Sequence, residues 1–243
     1  MKTYGLIGYP LSHSFSPGYF KAKFQKENIS NCEYLPFPLK SIADFTKLLN
    51  KTHNLCGLNV TIPYKETIIP YLDFLDKTAE SIGAVNTIQF KNGKLIGHNT
   101  DVSGFKNSYL PFHKEEVKKA LILGTGGASK AVIYALNELG VTCQYVSRSN
   151  KKEHLLYDQL DKSIFDEHLL IVNTTPLGMY PKTEDFPTIP FEFLSDKHIL
   201  YDLVYNPQTT TFMKKGISKG AVVKNGLEML HLQAEASWKV WNT

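Results

Sequence analysis

The chain has 243 residues, 42% apolar and 21% charged, the composition of a globular protein long enough for one large domain or two modest ones. Its net charge of +4, from 27 basic and 23 acidic residues, is spread out, with no basic block longer than Lys151-Lys152, which argues against nucleic-acid binding. No segment approaches the roughly 20 apolar residues of a membrane span, and the opening Met1 to Pro10 stretch breaks at Gly8 and Pro10 before any signal-peptide core forms, so a cytoplasmic location is expected.

In chain order, Thr3 to Gly8, Glu33 to Phe37, Cys56 to Thr61 and Ala84 to Phe90 read as strands, and Pro17 to Asn28, Ser41 to Asn50 and Lys65 to Leu75 as helices. Further strands are expected at Ala120 to Leu123, Val141 to Val146, Leu169 to Asn173, His198 to Leu203 and Ala221 to Lys224. Short apolar strands alternating with helical patterns are the signature of βαβ units and parallel sheet. Cys32, Cys56 and Cys143, odd in number and widely spaced, read as reduced core thiols. The eight histidines show no metal-ligand spacing, so no metal is expected.

The apolar run Ala120 to Leu123 leads into Gly124-Thr125-Gly126-Gly127-Ala128-Ser129, with Ser129 where a third glycine would stand. Beyond it Ala128, Ala131, Val132, Ala135, Leu136 and Leu139 fall on one helical face, and Gly140 ends the run. Strand, glycine loop, amphipathic helix and second strand together predict a dinucleotide site, with pyrophosphate on the helix N-terminus. After the second strand comes Ser147-Arg148-Ser149-Asn150-Lys151-Lys152, with no carboxylate until Glu153. An acidic residue there would favour NAD; Arg148, with the hydroxyls of Ser147 and Ser149, suits the 2′-phosphate of NADP.

About half the chain precedes this loop and holds polar clusters beside strand ends: Ser12-His13-Ser14-Phe15-Ser16-Pro17, Asn59 and Thr61 with Lys65, and Asn86-Thr87 with Asn99-Thr100-Asp101. Singly these are caps, turns and solvated charges. Together, hydroxyls and amides suit a polyhydroxylated small molecule, and a lysine with an aspartate can manage the proton that accompanies hydride transfer.

These motifs, continuing through Asn173-Thr174-Thr175-Pro176-Leu177-Gly178-Met179, Tyr201-Asp202, Tyr205, Pro207 and Asn225-Gly226-Leu227-Glu228-Met229-Leu230, closely resemble the shikimate dehydrogenase family, nearly end to end. The resemblance implies two α/β domains with a cleft between them: a discontinuous substrate-binding domain, 1–101 plus 226–243, with mainly parallel sheet, and a Rossmann-type NADP-binding domain, 102–225. It implies NADP-dependent interconversion of 3-dehydroshikimate and shikimate by a monomer or homodimer. Lys65 and Asp101 match the catalytic pair, and Ser14, Ser16, Asn59, Thr61, Asn86, Asp101 and Gln233 correspond to substrate contacts. Tyr205 and Gly226 border the nicotinamide; Gly124, Gly126, Gly127, Ala128, Ser129, Ser147, Arg148, Ser149 and Thr174 fall to the cofactor.

The chain departs from the family where relatives read Asn-Arg-Thr and it reads Ser147-Arg148-Ser149. The connection from Ser147 to a third strand near His154 to Tyr157 is shorter than a helical crossover, so a helix is expected to be trimmed there; a second packing helix is expected to be missing after Trp241. The alternatives are a quinate/shikimate dehydrogenase with broader substrate and NAD use, and a non-catalytic NADP-binding regulator.

Overall fold

The computed structural model describes residues 1–12, 14–149 and 153–243. His13, Asn150, Lys151 and Lys152, which belong to two of the loops singled out above, lie outside the described residues. The chain divides into two compact units, residues 1–100 with 233–243, and residues 101–232. Among the described residues no helix is long and apolar enough to cross a membrane.

The first unit is built on a six-stranded sheet with one parallel side: β1 (Lys2–Gly8) lies between β2 (Cys32–Pro38) and β3 (Leu55–Val60). A strand covered on both faces must be apolar throughout, and β1 is buried from Thr3 onward. Its alternation sends Tyr4 and Leu6 into an aromatic cluster with Phe20, Phe24, Tyr34 and Trp241, and Ile7 into a second cluster with Phe45, Leu58, Val60, Ile68 and Ile88. The aromatic side is covered by α1 (Phe15–Lys26) and by residues 233–241 of α8 (Leu227–Trp241); α2 (Phe45–Lys51) belongs to the other. Beyond β3 the sheet turns antiparallel through β5 (Thr87–Lys91) and β6 (Lys94–His98), and the two-residue β4 (Phe74–Leu75) pairs parallel with β6 at the edge.

Three expectations change here. The stretch Lys65 to Leu75 is not a helix: it holds turns, a short 3₁₀ segment Ile69–Tyr71 and β4. Pro70 explains this, because it lacks the N–H a helix interior needs and its ring crowds the preceding turn. The ladder expected from Ala84 begins only at Thr87, after α3 (Lys77–Ile82) ends on left-handed Gly83. The expected strand is one arm of a β5–β6 hairpin, and Asn92 and Gly93, both at positive φ, are the residue types its two-residue turn demands.

The second unit is an all-parallel sheet in the order β12-β11-β10-β7-β8-β9. Its strands are β7 (Lys119–Leu123), β8 (Thr142–Ser147), β9 (Leu155–Leu156), β10 (Leu170–Asn173), β11 (Ile199–Asp202) and β12 (Val222–Asn225). Helix α5 (Gly127–Glu138) crosses from β7 to β8, burying Ala131, Val132, Ala135 and Leu136. Helices α4 (Asp101–Tyr109), α6 (Lys162–Glu167) and α7 (Thr211–Ile217) complete it, and Phe165 and Phe212 join Leu121, Leu123, Ile171 and Leu200 in the core. The third strand expected near His154 is β9; it pairs only with the last two residues of β8, Val146 and Ser147. The chain therefore need not travel back along the sheet, and residues 148–154 suffice without a helix among those described. The cysteines are free but half-buried instead of core, because Cys32 opens the edge strand β2 and Cys56 and Cys143 sit near the starts of β3 and β8.

Trp241 fixes the end of α8. Its indole covers Gly57, where an added Cβ would come within 2.4 Å of the ring, and its Nε1 donates to the Ile88 carbonyl at 3.0 Å. Trp241→Ala is expected to destabilise the first unit by about 3–5 kcal/mol, mostly lost burial. Denaturant unfolding followed by fluorescence of Trp238, the tryptophan that remains, measures this; a loss below about 1 kcal/mol contradicts it.

Candidate functional site

The polar residues expected to meet a small molecule lie mostly in the first unit, within one connected hydrogen-bond network. Asn59, on β3, is 4% exposed and its amide orientation is fixed. Its Oδ1 accepts from the Tyr34 hydroxyl at 2.8 Å, so its Nδ2 faces Ser237 Oγ at 2.9 Å and Thr87 Oγ1 at 3.2 Å. Asn86 is fixed likewise: its Oδ1 accepts the Thr100 N–H at 2.7 Å, leaving Nδ2 to reach Thr100 Oγ1 at 2.9 Å and Gln233 Oε1 at 3.5 Å. Ser237 donates to the Gln233 carbonyl at 3.0 Å and lies 2.8 Å from Thr87 Oγ1 and 3.1 Å from Thr100 Oγ1. Every buried polar atom of this set thus has a partner, which rigidifies the side chains that reach its surface.

Ser14 stands at the N-cap position of α1 without a side-chain cap and is half-buried; Ser16, in the first turn, is buried and hydrogen-bonds the Tyr34 hydroxyl, which burial holds well above the usual tyrosine range. Thr61 follows β3, its backbone N–H donating to the Ile7 carbonyl at 2.9 Å. Lys65 is half-buried in the turn beyond it, with its carbonyl accepting the Val85 N–H at 2.7 Å. Asp101, buried, opens α4 in the second unit. Protein partners occupy the amide of Asn59 as they do that of Asn86. Tyr34 and Ser237 are members of this network that the sequence motifs do not mark, whereas Thr87 stands in the Asn86-Thr87 cluster. Ser237 was legible in principle, because it stands four residues after Gln233 and so shares its helix face.

In the second unit the glycine loop has the backbone a phosphate requires. Gly124 has φ +103°, a conformation closed to most side chains, and an added Cβ would stand 2.9 Å from Thr174 Oγ1. Gly126 is the N-cap of α5 with no side-chain cap and open space where a Cβ would be; Gly127 and Ala128 form the first turn, so amide donors there remain for an anion. Ser129 is fully buried and donates to the Gly126 carbonyl at 2.6 Å, shaping the loop instead of facing outward. Ser147 donates to the Ser149 carbonyl at 2.8 Å and accepts the Ser149 N–H at 3.1 Å, a closed turn that leaves Arg148 exposed. Thr174 donates to the Leu123 carbonyl at 2.7 Å, Tyr205 is half-buried, and Gly226 has an added-Cβ distance of only 2.1 Å to the Leu203 carbonyl. An uncapped helix start, an approachable glycine backbone and an exposed arginine just past the next strand fit a dinucleotide carrying a 2′-phosphate. Among the described residues, no group of three or more His, Cys, Asp or Glu could hold a metal.

Comparison with known proteins agrees. The family described as the shikimate dehydrogenase substrate binding domain matches residues 6–88. A shikimate dehydrogenase (NADP(+)) of Desulforamulus reducens is 35% identical over 98% of this chain and 88% of its own length. A crystal structure of shikimate dehydrogenase from Aquifex aeolicus is 36% identical with a TM-score of 0.88, covering 100% of this chain and 92% of that one. One from Thermus thermophilus, in complex with NADP(H) and shikimate, is 29% identical with a TM-score of 0.87, covering 99% and 93%.

Asp202, at the end of β11, is the one strongly displaced carboxyl at these strand ends. Burial pushes it up to about 6, opposed by hydrogen bonds from Thr210, Val204 and Asn173. A folded value raised above the unfolded one means that the stability tied to this group is complete below about pH 4 and is lost as pH rises through about 6. Relative to Asp202→Asn, the unsubstituted chain is expected to lose about 2 kcal/mol between pH 4 and pH 7. Unfolding free energies of the two proteins across that range test it; a difference independent of pH contradicts it.

Proposed function

Because the chain belongs to the shikimate dehydrogenase family, we propose that it catalyses the reversible NADP(H)-dependent reduction of 3-dehydroshikimate to shikimate in the shikimate pathway of aromatic amino-acid biosynthesis. The observation that carries this is the match over 98% of the chain to an NADP-dependent relative, in a sequence that keeps both Lys65 and Asp101. The substrate-binding part is read as residues 1–101 with 226–243 and the NADP-binding part as 102–225; the division of the chain into 1–100 with 233–243 and 101–232 supports a discontinuous first domain. The reading takes the protein to work on a small molecule in the cytoplasm, as a monomer or homodimer.

In this reading Ser14, Ser16, Asn59, Thr61, Asn86 and Gln233 hold the substrate's hydroxyl and carboxylate groups, and Tyr205 contacts the substrate near the nicotinamide. When bound, NADPH supplies the hydride. As negative charge builds on the C3 oxygen, Lys65 stands as the cation that stabilises it and donates the proton. Asp101 accepts a hydrogen bond from a substrate hydroxyl and orients the lysine. On the cofactor side Gly124, Gly126, Gly127 and Ala128 face the pyrophosphate through their backbone. Arg148, with Ser149 and the turn closed by Ser147, takes the 2′-phosphate; Thr174 and Gly226 line the remainder.

Crossing shikimate or quinate with NADP or NAD, and following absorbance of the reduced nicotinamide, is expected to give the highest kcat/KM for shikimate with NADP. Preference for quinate with NAD, or no turnover of any pair, overturns the proposal. Lys65→Ala should lower kcat by roughly 10²–10⁴-fold and change the shikimate KM far less; near-normal kcat removes Lys65 from its role. Arg148→Ala should raise the KM for NADP roughly 10-fold or more while leaving that for NAD within about twofold, as expected for loss of a charged phosphate contact. Equal effects on both cofactors would assign Arg148 elsewhere.

A further inference from the structure

A buried carboxylate without a cation is costly to keep, and it persists where it has something to hold. Asp202 is fully buried, and among the described residues no cation pairs with it. Its Oδ1 accepts from Asn173 Nδ2 at 2.9 Å and from the Val204 N–H at 3.0 Å; its Oδ2 accepts from Thr210 Oγ1 at 2.6 Å. Each donor belongs to a different segment. Asn173 ends β10, and its Oδ1 takes the Thr175 N–H at 3.0 Å and hydroxyl at 2.6 Å, fixing the loop that begins with Thr174. Val204 precedes Tyr205, and its carbonyl accepts the Gly226 N–H at 3.2 Å just past β12. Thr210 caps α7 by accepting the Met213 N–H at 3.3 Å. One carboxylate is therefore the common acceptor for the loops that bear Thr174, Tyr205 and, through Val204, Gly226.

These loops leave β10, β11 and β12, on one flank of the sheet, whereas Arg148 leaves β8 on the other, with the glycine loop after β7 between them. We propose that Asp202 is a positioning residue for the nicotinamide half of the dinucleotide site, acting through Asn173, Val204 and Thr210 and leaving the adenosine half untouched. The proposal rests on the dinucleotide reading above. A carboxylate accepts on both oxygens; an asparagine can accept on one atom from Asn173 and Val204, but its amide nitrogen can only donate toward Thr210 Oγ1, which reverses that bond and brings a second N–H to place.

The test is calorimetric binding of NADP, and of adenosine 2′,5′-bisphosphate as the fragment lacking nicotinamide, to the full chain and to Asp202→Asn and Thr210→Val. Both variants are expected to weaken NADP by roughly 5- to 50-fold, the scale of one or two lost buried hydrogen bonds, and to leave the bisphosphate within about twofold. The KM for NADP should rise with kcat changed less. Parallel weakening of both compounds, or unchanged binding with only a lower melting temperature, overturns the proposal. Should Asp202→Asn not fold, Thr210→Val decides alone, since it keeps the carboxylate and removes one donor. An unsubstituted chain that binds neither compound overturns the dinucleotide reading itself, and this proposal with it.

Discussion

The indole of Trp241 rests on Gly57, the strand position that has no side chain to hold it off, and its N–H is tied to the Ile88 carbonyl. Gln233, Ser237 and Trp241 are spaced four residues apart, so they share one face of α8. Seating the tryptophan therefore sets the rotation of the helix, and the rotation places Ser237 among Asn59, Thr87 and Thr100 and turns Gln233 toward Asn86. A packing contact at the end of the chain thereby determines which hydrogen bonds the first unit's amides make. On the same helix Glu235 pairs with buried Lys23 and receives the Tyr19 hydroxyl, tying α8 to α1. The carboxylate stays below its usual range because these bonds outweigh its burial.

The second unit was the more legible part of the sequence, and the reason is locality. Gly124 to Ser129, the apolar face of α5 and the bounding strands lie in one continuous stretch whose periodicity declares each element. In the first unit, Pro70 inside an expected helix is a local signal of the opposite, and Asn92-Gly93 is the local signal of the β5–β6 hairpin. What was hidden was of another kind. Tyr34 meets Asn59, Asn59 meets Ser237, and Asp202 meets Thr210 only once sheets and helices have assembled; the spacing of Ser237 from Gln233 gives their common face, but not the amide from far upstream that the serine meets. Asp202 stood inside a recognised motif, yet its dependence on three loops is a property of the strand ends.

The two units solve their recognition problems with different chemistry. The first presents neutral hydroxyls and amides whose orientations are decided by counting protons, as the two asparagines show. Such a surface distinguishes ligands by where their own donors and acceptors lie, because a misplaced group leaves a buried partner unmet. The second presents backbone amides, a helix end and an exposed guanidinium, which respond to charge more than to shape. In the proposed reaction Lys65 and Asp101 are the ionisable groups on which both kinds of chemistry act.

The brief connection between β8 and β9 has a consequence for how the molecule behaves in a crowded solution. A strand at the rim of a sheet offers unpaired N–H and C=O groups to any passing chain, and long flat rims invite ordered self-association. Because the chain returns after Ser147 with so few residues, β9 pairs over two positions only and presents almost no template. The first sheet is blunted in the same manner, by the two-residue β4 at one rim and by Pro36 and Pro38 within β2 at the other. The short return after β8 thus bears on the rim as well as on the crossover: at that edge of the second sheet only two residues are in strand.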